Sequence, residues 1–118
     1  MRTRLPVLAF TLLLPGLAVA QAQPTPAEDE DVKFEESIRN FGFISGAAYQ
    51  CLAEADRGAH EREVLRAYSG IVRLFGSDRA FFYAAAFGAG TSASLEKGKC
   101  KGYIEDFRSA MKSGGRGQ

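Results

Sequence analysis

The 118-residue sequence has no tryptophan, one histidine, two cysteines and four prolines. Each scarcity removes a class of chemistry. His60, Cys51 and Cys100 do not supply the usual four-ligand set of a structural zinc site. The cysteines are not spaced as CxxC, so a thioredoxin-like redox motif is absent. There is no HExxH, GxSxG or Walker-type loop. Gly88-x-Gly90 lacks a third glycine and a preceding strand, so it does not make a phosphate cradle. Neither sign of charge dominates: 15 Lys+Arg stand against 14 Asp+Glu. That balance argues against a nucleic-acid or anionic-membrane partner. No apolar run reaches the roughly 20 residues of a bilayer span. No alternating strand pattern and no internal repeat is present.

What remains begins with residues 1–20. Arg2 and Arg4 precede the apolar stretch Leu5–Ala20, which ends Ala18-Val19-Ala20. A basic flank, an apolar core and a small-x-small exit predict a secretory signal peptide cleaved after Ala20. No cysteine stands at the exit, so no lipid anchor is expected. Losing Arg2 and Arg4 takes the formal charge from +1 to −1. The expected location is periplasmic or otherwise exported, with no stable membrane insertion after leader removal. The mature chain, about one hundred residues, is the size of a single domain. In an oxidising compartment its two cysteines allow one intramolecular pairing, Cys51 with Cys100.

Residues 21–31, QAQPTPAEDED, are expected to be an acidic, proline-containing linker, too polar to bury itself. The helical domain is expected over 32–112. Phe34, Ile38, Phe41, Ser45, Ala48 and Leu52 recur at spacings of four and three, which predicts a first helix over 32–52. Gly42 and Gly46 weaken it by roughly 1 kcal/mol each relative to alanine. Glycines four apart allow a second backbone to come close, and close packing inside the domain is the reading preferred here. A second helix starts near Asp56 to Gly58. It carries Val64, Leu65, Tyr68, Ile71, Val72 and Phe75 on one face, with Glu61, Arg62, Glu63, Arg66 and Arg73 opposite. Gly76 is placed to stop it in a left-handed conformation. A short third helix, 80–90, carries no charge and is apolar nearly all round, as buried helices are. Thr91 to Ser94 read as a loop. A fourth helix, 97–112, has Cys100, Tyr103, Ile104, Phe107 and Met111 on its apolar face. Residues 113–118 read as a flexible tail.

The fold class is therefore all-α: a compact four-helix up-down bundle stapled by one disulfide. In that topology the end of the first helix and the start of the fourth share a pole, where Cys51 and Cys100 meet. His60, among polar residues at the start of the second helix, is expected to be solvated. The carboxylate pairs Glu35–Glu36, Glu54–Asp56, Glu61–Glu63 and Glu105–Asp106 fall on polar faces. No catalytic, cofactor-binding or metal-binding residue is assigned, and no cofactor is expected. A small hydrolase using His60 or a carboxylate pair is the rival reading from the enzyme class. Aromatic residues exceed what one stripe per helix can bury. Two readings follow: the rings complete the core, which is the preferred one, or some of Phe43, Gly46, Tyr49, Tyr83 and Phe87 form an exposed patch that binds a protein or a small apolar ligand.

Two families share features with this pattern. The layout is similar to the HdeA-type periplasmic acid-stress chaperones: a leader, a short helical chain, and two cysteines nearly fifty apart. The second of these opens a charged terminal helix, here Cys100-Lys101-Gly102-Tyr103-Ile104-Glu105-Asp106-Phe107. It departs from them around Cys51, where their tryptophan and acidic motif are missing. The segment Phe41-Gly42-Phe43-Ile44-Ser45-Gly46-Ala47, with a late cysteine, resembles the periplasmic immunity proteins that block secreted amidase toxins. Both resemblances imply a non-enzymatic exported helical protein that binds another protein, as an inhibitor, an accessory subunit or an acid-stress chaperone. A homodimer is a further possibility.

Overall fold

A computed structural model of the chain describes residues 25–115 and, ahead of them, Gly16 and Gln23. The expected leader, Gly16 apart, and the last residues of the expected tail lie outside the described residues. Four α-helices account for nearly all of 25–115: α1 (Pro26–Cys51), α2 (Glu54–Phe75), α3 (Ser77–Ser92) and α4 (Cys100–Gly115). A single 3-10 turn, Lys97–Lys99, leads into α4. Among the described residues there is no strand. Cys51 and Cys100 are disulfide-bonded, with Cα atoms 5.2 Å apart.

Helix α1 begins six residues before the position expected from apolar periodicity. The cause is a capping box. The Thr25 hydroxyl accepts from the Glu28 amide at 3.3 Å, and the Glu28 carboxylate accepts from the Thr25 amide at 3.1 Å. Pro26 takes the first helical position, where its missing N–H costs nothing. Glu28 and Asp29 lie at the positive end of the macrodipole. Residues 26–31 are therefore helix and not linker. Their charges also find partners: Asp29 pairs with Lys33 and Asp31 with Arg79, each at 3.3 Å.

The other helix ends differ for similar local reasons. Helix α3 runs through Gly88 and Gly90 to Ser92, because the Thr91 and Ser92 hydroxyls donate back to the Gly88 carbonyl at 2.8 and 3.0 Å. The expected polar loop thus starts two residues later than position 91. Helix α4 continues through Ser113, whose hydroxyl bonds the Ser109 carbonyl, to Gly115, where a tail was expected. The break between α2 and α3 falls at Gly76, as expected. Its φ of 94° and ψ of 166° lie in a region open essentially to glycine alone.

Contacts between α1 and α3 climb both helices together. Asp31 meets Arg79, Arg39 lies over the Phe82 ring at 4.4 Å, and Gln50 donates to the carbonyls of Gly90 and Ala93 at 2.7 and 2.8 Å. Contacts between α1 and α2 run the opposite way. Phe34 packs edge-on to Phe75, with ring centroids 4.7 Å apart, while Arg57 donates to the Tyr49 carbonyl at 3.2 Å. Helix α4 also opposes α1, from the disulfide through Phe43–Tyr103 to Phe41–Phe107.

The tightest packing is main chain on main chain, between α1 and α3. A methyl group on Gly42 would lie against the Tyr83 carbonyl oxygen and 2.9 Å from the Ala86 Cβ. On Gly46 it would meet the Phe87 carbonyl oxygen, and the Thr91 nitrogen at 2.8 Å. On Gly90 it would meet the Phe43 carbonyl oxygen, and the Ala47 nitrogen at 2.9 Å. The two glycines of α1 thus do what their spacing suggested, and Gly90 answers them from α3. This close approach buries only one side of α3. Ala80, Tyr83 and Gly90 are inside, but Ala84, Ala85, Gly88 and Ala89 are exposed and Phe81 is 65% exposed. A helix without charge was expected to be central. It stays at the surface because its outer face is mostly alanine and glycine, which have little apolar area to hide.

Candidate functional site

The five residues named for an exposed patch do not share one. Gly46 and Tyr83 are fully inside, and Phe43, Tyr49 and Phe87 are half-buried. Phe43 is edge-on to Tyr103 of α4 at 6.4 Å. Tyr49 lies between Phe87 of α3 at 6.2 Å and the Arg57 guanidinium of α2 at 5.0 Å. These rings join helices to each other, which is core work.

Tyr83 and Ser45 form the polar centre of that core. The Tyr83 hydroxyl donates to Ser45 Oγ at 2.9 Å, and Ser45 Oγ donates to the Phe41 carbonyl at 2.7 Å. His60 joins from α2, with Nε2 2.8 Å from the Ser45 carbonyl oxygen. Only a donor suits that carbonyl, so the proton sits on Nε2. His60 was expected in solvent; it is 7% exposed. The reason is its position four residues before Val64, on the stripe that continues to Ile71 and faces α1. Phe107 of α4 covers the ring, with centroids 4.4 Å apart. His60 bonds the main chain at Ser45 and not its hydroxyl, and that hydroxyl is fully enclosed. The trio therefore has no nucleophile–base contact and no open face for a substrate at Ser45. Among the described residues, no group of three or more His, Cys, Asp or Glu could hold a metal ion.

Burial pushes the Tyr83 hydroxyl up to about 12 from its ordinary 10, outweighing the opposite pull of the Ser45 hydrogen bond. The folded state therefore keeps its proton where the unfolded chain loses it. Stability from this group is whole below about pH 10 and is lost as pH rises through about 12. Tyr83→Phe is expected to lower stability by about 1 kcal/mol at neutral pH, the net worth of one hydrogen bond. It should also flatten the alkaline fall in stability. Urea titrations of both proteins at pH 7 and at alkaline pH check both parts. An equally steep alkaline fall in the variant would assign it to other groups.

Besides Val32 of α1 and Phe81 of α3, the large exposed apolar residues lie on α2. Leu65 and Leu74 are 64% and 63% exposed, and Phe75 is 44% exposed. Leu74 and Phe75 line a groove of about 730 Å³. Phe41 of α1 and Ile71 of α2 lie along it, with Gly70 and Leu74 on the α2 side and Ala110 and Met111 on the α4 side. A second hollow of about 380 Å³, reaching His60, Ile104 and Phe107, shares Glu63 with the first. The missed signal was on α2 itself. Its apolar residues span more arc than one contact can cover, so burying Val64 and Ile71 leaves Leu65 and Val72 outside.

Among the described residues the chain is all-α, four helices with one disulfide. In comparisons with known proteins, no family model, no curated protein and no solved structure matches the chain.

Proposed function

We propose that this is an exported, non-enzymatic helical protein that acts by binding another protein, as an inhibitor or an accessory subunit. One observation carries the reading: the apolar groove between α2 and α4, continuous with exposed Leu74 and Phe75. Exposed apolar surface gathered at one concavity is what a binding face requires. Its volume falls in the roughly 300–1,000 Å³ range of binding clefts. In this reading the helices form an up-down-up-down bundle, as the opposed contact order of α1 with α2 and α4 supports. The mature chain begins at Gln21, in the periplasm or another exported compartment, where the disulfide persists.

Site-specific photo-crosslinking tests the reading. A benzophenone side chain placed at Leu74 and irradiated in the native compartment is expected to give one discrete adduct with a different polypeptide. Gly70 lines the same groove, and a Cβ added there meets nothing within 4 Å. Gly70→Trp should therefore fill the groove without unfolding the protein and abolish the adduct. No adduct from Leu74 or from Phe75 in folded protein would sink the reading.

A further inference from the structure

The groove has basic edges. Arg66 and Arg73 line it from α2, and Arg62 extends their row by one turn, since residues four and seven apart share a helix face. On the α4 side Arg108 lines the adjoining hollow. Among the described residues, Arg62, Arg73 and Arg108 have no carboxylate partner within salt-bridge distance; Arg66 pairs with Glu63 at 2.8 Å. The carboxylates lining the groove and hollow are Glu63 and Asp56, against the lining cations Arg66, Arg73 and Arg108. An apolar floor thus runs beside a row of arginines on α2, with Arg108 at the adjoining hollow.

The walls also restrict the backbone that can lie there. Both are helices, and the described residues contain no strand edge. An extended segment buried on this floor would leave its N–H and C=O groups unpaired, which is costly. A helix satisfies its own. From Glu63 to Phe75 the α2 wall is roughly 18 Å long, about three helical turns.

We propose that the groove takes an acidic amphipathic helix of the partner protein, its apolar stripe seated between α2 and α4 and its carboxylates on the α2 arginine row and Arg108. This rests on the protein-binding reading above and adds the partner's conformation and charge. Helix-in-groove recognition uses apolar anchors at i, i+3, i+4 and i+7. The flanking charges set partner choice and association rate.

The test uses two labelled model helices with one shared leucine stripe, flanked by glutamate in the first and by lysine in the second. Fluorescence anisotropy with the mature protein reads binding. The glutamate helix is expected to bind at least about tenfold tighter than its lysine twin, a preference that shrinks near 0.5 M salt as charges are screened. Gly70→Trp should remove binding, with the circular dichroism of the folded protein retained. The double change Arg73→Glu with Arg108→Glu should reverse the preference. Equal binding of both helices overturns the charge assignment, and binding that survives Gly70→Trp overturns the site. Failure of both helices, while Leu74 still crosslinks to a partner, overturns the helical occupant and leaves the protein-binding reading standing. Capture by phosphatidylglycerol vesicles, lost in Gly70→Trp and with neither helix bound, overturns it in favour of a lipid surface.

Discussion

Gly46→Ala is expected to destabilise the protein by about 3 kcal/mol or more, although alanine is the better helix former by roughly 1 kcal/mol. The added methyl group would meet main-chain atoms only: the Phe87 carbonyl oxygen, the Thr91 nitrogen at 2.8 Å and the Gly90 carbonyl carbon at 2.9 Å. No side chain can rotate away to make room. Relief requires α1 and α3 to move apart, which weakens the Gln50 bonds to Gly90 and Ala93 and loosens the ring contacts along the seam. Gly88→Ala is the opposite case. Its new methyl group meets nothing within 4 Å, so the change should raise stability by about 0.5–1 kcal/mol through chain entropy and helix propensity. Thermal melts of the two variants should therefore shift in opposite directions. Each kcal/mol is worth about 4–8 °C in a domain of this size. If Gly46→Ala melts with the wild type, the close approach of α1 and α3 is refuted.

Loss of the disulfide is expected to have an effect of similar or larger size. Cys51→Ser with Cys100→Ser should cost about 2–5 kcal/mol, with about 4 kcal/mol expected in the chain-entropy model for a loop of 49 residues. That is a large share of the 5–15 kcal/mol typical of a domain. The bond fastens the last residue of α1 to the first residue of α4. Without it α4 is held by Phe107, which is buried, and by the half-buried Tyr103, Ile104 and Met111. Reduction should then release α4 before the glycine-packed pair α1 and α3. Urea denaturation with and without reductant measures the free energy. Hydrogen exchange of reduced protein should show amides of 103–111 losing protection ahead of those around Gly46. Uniform loss of protection along the chain would reject that order.

Much of this architecture could be read from the residues. The stripe Phe34–Ile38–Phe41–Ser45–Ala48 predicts the inner face of α1, and Ile38, Ser45 and Ala48 are buried. Gly76 marks the α2–α3 break, and the cysteine positions predict their bond. The parts that were misread share one cause: periodicity counts apolar side chains and is blind to what polar groups do. Thr25 and Glu28 start a helix through hydrogen bonds, in a segment whose composition suggests a linker. His60 is interior because it lies on the Val64–Ile71 stripe and donates to the Ser45 carbonyl of α1, a placement hidden by its polar neighbours in sequence. Tyr83 is interior because Ser45 takes its hydroxyl. The burial of Tyr83 and the partial burial of Phe43, Tyr49 and Phe87 have a related reason. Counting rings per stripe assumes helices at ordinary separation, whereas α1 and α3 touch through glycine. Rings beside that seam, such as Tyr49 and Phe87, then close over its edges. The overall charge balance likewise concealed the groove. Arg62, Arg66 and Arg73 are offset by acids elsewhere, and only their common row on α2 gathers them at one edge.

The seam between α1 and α3 also bears on how a sequence like this one can drift over evolution. A contact made by side chains can be exchanged a few atoms at a time, with one ring shrinking as its neighbour grows. A contact made by peptide groups has no such intermediates, because every substitution for glycine adds the same obstructing carbon. Descendants of this fold could replace most of their aromatic residues while Gly42, Gly46 and Gly90 stayed fixed. Ancestry would then be recorded in three of the smallest residues and a pair of sulfur atoms, which is little for any comparison of whole sequences to find.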